Sequence, residues 1–229
     1  MREVFHDELQ RITDDLVEMA HLVGSAIARS TTALLDADVQ LADSVIEADQ
    51  AIDIKRHDLD AHAVDVLARQ APVATDLRVV VTAMRMSADL ERMGDLARHV
   101  AKLARLRYPD PAVPEQLRAS IMQMGHVGER LVELVAQVLV TQDLEETRGI
   151  EQVDDEMDAL QRDVFAVLVD GHWEHGTESA VDMALLGRYY ERFGDHAVSV
   201  ARRMRFLVTG EFSESADDFD RGDEIPARV

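Results

Sequence analysis

Glu91-Arg92-Met93-Gly94-Asp95 returns one hundred residues later as Glu191-Arg192-Phe193-Gly194-Asp195. In a helix, residues four apart lie one above the other, so each copy projects two carboxylates from one patch of surface. Like charges at that spacing repel by about a few tenths of a kcal/mol unless a cation sits between them. Hard cations such as Mg²⁺, Mn²⁺ and iron take oxygen ligands, and carboxylates on adjacent helices can share more than one ion. Gly94 and Gly194 fit this chemistry: glycine inside a helix costs up to about 1 kcal/mol against alanine, and close approach of a metal or a neighbouring helix accounts for it. A single Glu-x-x-x-Asp pair is ordinary solvated charge. A duplicated pair in register points to cation binding.

The elements that must position these acids repeat as well. Three of the five prolines fall in Tyr108-Pro109-Asp110-Pro111-Ala112-Val113-Pro114, which cannot continue a helix and marks the midpoint. A shift of 105 superimposes Met19 on Met124, His21 on His126, Asp49 on Asp154 and Asp53 on Asp158, whereas the Glu-Arg-x-Gly-Asp segments align at a shift of 100. Each half reads as three helices. The first spans roughly 6–35, the second ends near Gln70 before Pro72, and the third runs from the N-cap candidate Thr75 to Arg107. In the second half Asp143 with Glu146 resembles a capping box, Gly171 suits a helix stop and Thr177 the next N-cap. The expected fold is all-α: six long helices in two tandem, pseudo-symmetric three-helix bundles. The bundles occupy 1–108 and 115–210, joined by a Pro-rich connector at 109–114 and followed at 211–229 by an acidic tail expected to be disordered.

Apolar residues recur at 3-4-3-4 spacing through Met183, Leu186, Tyr190, Phe193, Ala197, Val200, Met204 and Leu207. Ala83, Met86, Leu90, Met93, Ala97, Val100 and Ala104 repeat the stripe. With those positions as a and d, Glu91 and Glu191 fall at b and Asp95 and Asp195 at f, facing away from the core. The middle helices carry stripes at Val45, Ala48, Ile52 and Leu59, and at Ile150, Val153, Met157 and Val164, so Asp49, Asp53, Asp154 and Asp158 flank the seam. An outer groove between the second and third helix of each half is therefore expected to hold four carboxylates.

Composition narrows the function. The 229 residues carry 45 acidic against 24 basic side chains, a formal charge of −21, so the average field repels DNA, RNA and anionic lipid and attracts divalent cations. With no cysteine there is no disulfide, thiolate site or Cys nucleophile. No segment approaches the length of a membrane span and the first residues lack a signal-peptide core, so the protein is expected in the cytoplasm, touching membrane only through partners. Nothing identifies a catalytic centre. Glu3-x-x-His6 and Glu18-x-x-His21 have the spacing of di-iron bundles, but the second half puts Gln123 where Glu18 stands. His172-Trp173-Glu174-His175 reads as a solvated loop with an anchoring Trp. The cations Arg98, Lys102, Arg105, Arg107, Arg202, Arg203 and Arg205 late in the third and sixth helices complement the helix dipole, with a docking patch as the functional alternative.

Two tandem three-helix halves, each with Glu-Arg-x-Gly-Asp on its last helix, resemble the PhoU family of bacterial phosphate-signalling regulators. Gln70-Ala71-Pro72-Val73-Ala74-Thr75-Asp76-Leu77-Arg78 and Tyr190-Glu191-Arg192-Phe193-Gly194-Asp195-His196-Ala197 agree with that family's style. The resemblance implies a non-enzymatic, cytoplasmic negative regulator of phosphate uptake and phosphate-starvation signalling. Its partners would be the ATPase subunit of a phosphate ABC transporter and a sensor histidine kinase, with homodimerisation left open. It also implies divalent or multinuclear metal (iron, manganese, magnesium or zinc) on Asp49 with Asp53, Glu91 with Asp95, Asp154 with Asp158, and Glu191 with Asp195. The competing reading is a metal-storage or metal-dependent helical-bundle enzyme. Leu96 stands where the second half has the family-like His196, and the acidic tail departs from the pattern.

Overall fold

The computed structural model of the chain describes residues 2–211. These form α1 (Arg2–Asp36), α2 (Val39–Gln70), α3 (Thr75–Arg107), α4 (Glu115–Thr141), α5 (Leu144–Val169) and α6 (Gly176–Thr209), with no strand among the described residues. The expected tail lies almost wholly outside them.

Local chemistry sets the helix ends. Asp38 caps α2 by accepting from the Leu41 amide at 2.9 Å, and Asp143 caps α5 by accepting from the Glu145 amide at 2.9 Å. Two expected caps are not made. Thr75 is already the first residue of α3, behind Ala74, and α6 starts at Gly176 behind His175, with no side-chain cap at either start. Glu146 does not close a capping box; it accepts from Gln137 and from the Thr141 hydroxyl, tying α5 back to the end of α4. Gly171 stands at φ +83°, the left-handed conformation that ends a helix cheaply only at glycine.

The two stripes expected for α3 and α6 are buried along their whole length. Tyr190 and Phe193 are fully buried, and burial of a side chain of that class is worth roughly 1.5–3 kcal/mol. The α2 stripe differs from the expectation. Ala48 is exposed and Asp49 takes the inward position, 5% exposed, between Val45 and Ile52.

The two bundles share one core. α1 packs on α2, α3 and α4; α3 packs on α1, α2 and α6; α4 packs on α1, α5 and α6. Helices α1, α3, α6 and α4 thus form a central ring, while α2 rests on α1 and α3 and α5 rests on α4 and α6. Close crossing of α1 and α4 joins the halves: a Cβ on Gly125 would lie 2.5 Å from Thr31 Cγ2, so only glycine admits this approach. The Thr31 and Tyr190 hydroxyls hydrogen-bond at 2.7 Å inside that seam, and burial holds the Tyr190 phenol neutral far above its ordinary range.

On the α3–α6 side the junction is ionic. Arg107 donates to Asp182 and Glu178, each at 2.6 Å, and Arg203 donates to Asp89 at 2.6 Å. His196 lies 3.2 Å from the same Asp89. His99 stacks on Tyr189 with ring centres 5.2 Å apart. Most of the late-helix cations therefore act between helices and not as a free patch: Arg105 pairs with Asp43 and Arg205 with Glu151, each at 3.3 Å.

Candidate functional site

The second set of four acids lies together where α5 meets α6; in the first, Asp49, Asp53 and Asp95 lie together where α2 meets α3, and Glu91 is linked to Asp95 through Arg92. Asp49 lies within the field of Asp53 on its own helix and of Asp95 on α3. Asp154 lies within the fields of Asp158 on α5 and of Asp195 and Glu191 on α6. The glycines make this approach possible. A Cβ on Gly94 would meet Ile52 Cδ1 at 2.8 Å and Asp49 Oδ1 at 3.4 Å; a Cβ on Gly194 would meet Asp154 Oδ1 at 2.1 Å. The Asp154 carboxylate thus occupies the space that any other residue at position 194 would fill.

The acids are less outward-facing than their heptad positions imply. Glu91 is buried, 9% exposed, as is Asp49. Glu191, Asp154, Asp158 and Asp95 are half-buried, and Asp53 and Asp195 are exposed. The reason is the glycine-sized gap: it draws the neighbouring helix close enough to cover positions that a wider crossing would leave in solvent.

Charge compensation separates the two clusters. In the α2–α3 cluster Arg98 donates to both Asp49 and Asp95, Arg92 reaches Asp95 at 3.0 Å, and Arg56 lies 3.1 Å from Glu91 Oε2. That Glu91 oxygen is buried and in charge contact, yet no donor is aligned on it for a hydrogen bond. Burial raises the Asp49 carboxyl above its ordinary range, and the Arg98 guanidinium opposes the rise.

In the α5–α6 cluster Arg188 donates to Glu191. Asp154 Oδ1 and Glu191 Oε2 are buried without a hydrogen-bond partner. Asp154 is pushed up to about 7 by burial first and then by the neighbouring carboxylates, led by Asp158 and Asp195. Glu191 is also pushed up to about 7, by burial and Asp195, with Arg188 pulling the other way. Two buried carboxylate oxygens without a hydrogen-bond donor, beside further acids, form a hard-oxygen donor set. As the side chains stand, no three His, Cys, Asp or Glu residues among the described ones converge into a ready cage for an ion.

The repeat register explains the difference. Arg98 corresponds to Val198, Arg56 to Gln161, and Ala88 to Arg188. A dipole role for the late-helix cations misses the inward role of Arg98; its mismatch with Val198 across the repeat is the signal that points to it. Other candidate ligands are engaged elsewhere. Glu18 accepts from Lys55 at 2.5 Å, His196 faces Asp89, and Trp173 anchors its loop by donating to the Gly176 carbonyl at 2.9 Å.

Taken together, the fold and site define an all-helical, twice-repeated protein with a carboxylate cluster in each repeat. The chain belongs to the PhoU family: residues 16–104 and 121–204 each match the PhoU domain. It is 46% identical over 212 residues to the phosphate-specific transport system accessory protein PhoU homolog 2 of Mycobacterium tuberculosis, covering 93% of this chain and 100% of that protein. To PhoU homolog 1 of Mycobacterium leprae it is 45% identical over 214 residues, covering 93% and 96%. Among solved structures, PhoU from Pseudomonas aeruginosa superposes with a TM-score of 0.81 at 28% identity, over 90% of this chain and 100% of that one. The phosphate transport system regulatory protein PhoU from Streptococcus pneumoniae shares the fold, with a TM-score of 0.82 at 23% identity over 91% and 98%.

Proposed function

We propose that the protein is an accessory regulator of phosphate-specific transport. It acts as a cytoplasmic, non-enzymatic adaptor between the ATPase subunit of a phosphate ABC transporter and a sensor histidine kinase, restraining uptake and phosphate-starvation signalling when phosphate is plentiful. The observation that carries this reading is the likeness, over nearly the whole chain, to relatives named as accessory proteins of such a transport system. The architecture suits an adaptor, because ion pairs and the shared core hold the helices in fixed relation and leave long helix faces for partners. No described helix is long and apolar enough to cross a membrane, so contact with a transporter falls to its soluble subunits.

Divalent metal belongs to this proposal at the α5–α6 cluster, where Asp154 and Glu191 would hold it with Asp158 and Asp195. A bound cation there supplies the positive charge that the buried oxygens lack and fixes the spacing of α5 and α6. For Asp49, Asp53, Glu91 and Asp95 the same role requires the Arg98 guanidinium to leave its two carboxylates.

The deciding experiment is a deletion combined with a pull-down of the tagged full chain at high and low phosphate. Deletion is expected to leave phosphate-starvation genes constitutively expressed, and the tagged chain to retain the kinase and the transporter ATPase. A deletion strain that still represses those genes in high phosphate, with neither partner retained, overturns the adaptor reading.

A further inference from the structure

In this strongly acidic chain no carboxylate among the described residues pairs with Arg78 or Arg85, which lie about two turns apart on one face of α3. They line a cleft of about 290 Å³ formed by the first turns of α3 and the end of α6, with Leu77, Val81 and Phe206 as its apolar walls. Leu77 is 40% exposed there and Arg85 is exposed. The Arg78 guanidinium lies 5.7 Å from the centre of the Phe206 ring, and its Nε is buried with no hydrogen-bond acceptor. Two guanidinia over an apolar floor select a ligand that combines acid with aromatic surface.

The chain supplies such a ligand at the mouth of the cleft. α6 closes at Gly210, whose amide bonds to the Phe206 carbonyl at 2.8 Å with φ at +79°. That turn sets the backbone against Arg78, because a Cβ on Gly210 would lie 2.2 Å from the guanidinium. Residues 212–229 follow immediately. They hold Phe212 and Phe219, the acids Glu214, Asp217, Asp218, Asp220, Asp223 and Glu224, and only Arg221 and Arg228 against them.

We propose that segment 212–229 docks within its own chain in this cleft, its carboxylates on Arg78 and Arg85 and an aromatic side chain on the Leu77–Val81–Phe206 floor. The docked segment covers one end of the α3–α6 junction, where the two repeats are joined by ion pairs. Charge complementarity and the exit point of the chain carry the assignment. A segment tethered this closely has an effective concentration of about millimolar, so even a contact of roughly millimolar affinity is populated about half the time.

The natural chain has no cysteine, so Ala216→Cys gives one attachment point for a paramagnetic label on the full-length protein. The expected result is broadening of amide signals at Leu77–Arg85 and Phe206 at least about twofold stronger than chain proximity alone leaves when docking is blocked. That excess should disappear in R85E, an exposed position that leaves the core untouched, and fade in about 1 M salt, where the Debye length shrinks to ~3 Å. Equal broadening in the natural-sequence background and in R85E overturns the proposal. Unlabelled ¹⁵N protein mixed with labelled ¹⁴N protein separates the sources. Broadening as strong in that mixture as in the singly labelled chain assigns the cleft to the tail of a second copy and defeats intrachain docking.

Discussion

The α2–α3 and α5–α6 clusters descend from the same written motif yet solve the same electrostatic problem in opposite ways. In the first, Arg98 stands inside the cluster and holds Asp49 and Asp95 together, with Arg56 beside Glu91. In the second, Val198 and Gln161 take those two places, and Asp154 and Glu191 each keep a buried oxygen unpartnered. A carboxylate cluster is a cation site only to the extent that its own chain has not already supplied the cation. The acids are what the repeat keeps; the residues one turn away decide what they are for.

The sharpest way to break the comparison is to remove the internal cation. Arg98→Met leaves Asp49, which is 5% exposed, as an uncompensated buried charge. Breaking a buried pair from one side costs about 3–5 kcal/mol, so R98M should lower the unfolding free energy by about 3 kcal/mol in urea titration at neutral pH. Adding Asp49→Asn should recover much of that loss. If R98M unfolds at the wild-type urea midpoint, Arg98 is not the element that closes the first cluster.

A second test exchanges sterics for charge. Gly194→Ala must drive Asp154 Oδ1 out of the space it fills, whereas Gly94→Ala presses chiefly on the tip of Ile52. G194A is therefore expected to weaken Mn²⁺ binding at least about tenfold in calorimetric titration, or about 1.4 kcal/mol. G94A should leave that binding unchanged. Equal losses in the two variants would mean that the clusters share the cation evenly and that the contrast drawn from Arg98 is wrong.

Much of this organisation is legible in the order of the amino acids, and the boundary of what is legible is physical. Helix ends at Gln70 and Arg107, the cap at Asp143 and the stripe through Tyr190 and Phe193 depend on neighbours within a turn or two, which the sequence displays directly. The meeting of α2 with α3 and of α5 with α6 follows from the period of those stripes. The burial of Glu91 and Asp49 does not, because it depends on how closely two helices cross at Gly94, a distance that heptad phase leaves open. Arg98 stands near a helix end in the sequence, while its decisive partner lies 49 residues away on α2. The glycine-lined crossing of α1 and α4, which fuses the two bundles into one core, likewise escapes any pattern confined to one half.

The smallest effect expected is a pH dependence centred on the second cluster. Asp154 and Glu191 are raised from ordinary values of 3.8 and 4.5 to about 7, so between about pH 4 and pH 7 the folded chain holds protons that the unfolded chain has released. Stability from these two groups is therefore fully present below about pH 4, falls as pH rises to about 7, and is level above it. Thermal melts in chelator should show that decline, and saturating Mn²⁺ should flatten it at the neutral end, because binding to the folded state alone adds stability that grows as the ligands lose their protons. Asp154→Asn removes one of the two titrations; at pH 7.5 it should raise Tm by about 2–4 °C, corresponding to about 1 kcal/mol for a chain of this size. In the same melts Asp49→Asn is expected to raise Tm by less, because the Arg98 guanidinium already opposes the burial that raises the Asp49 carboxyl. A larger rise for Asp154→Asn than for Asp49→Asn is the signature of one cluster compensated by its own arginine and one in which burial goes less opposed; equal rises would dissolve the distinction.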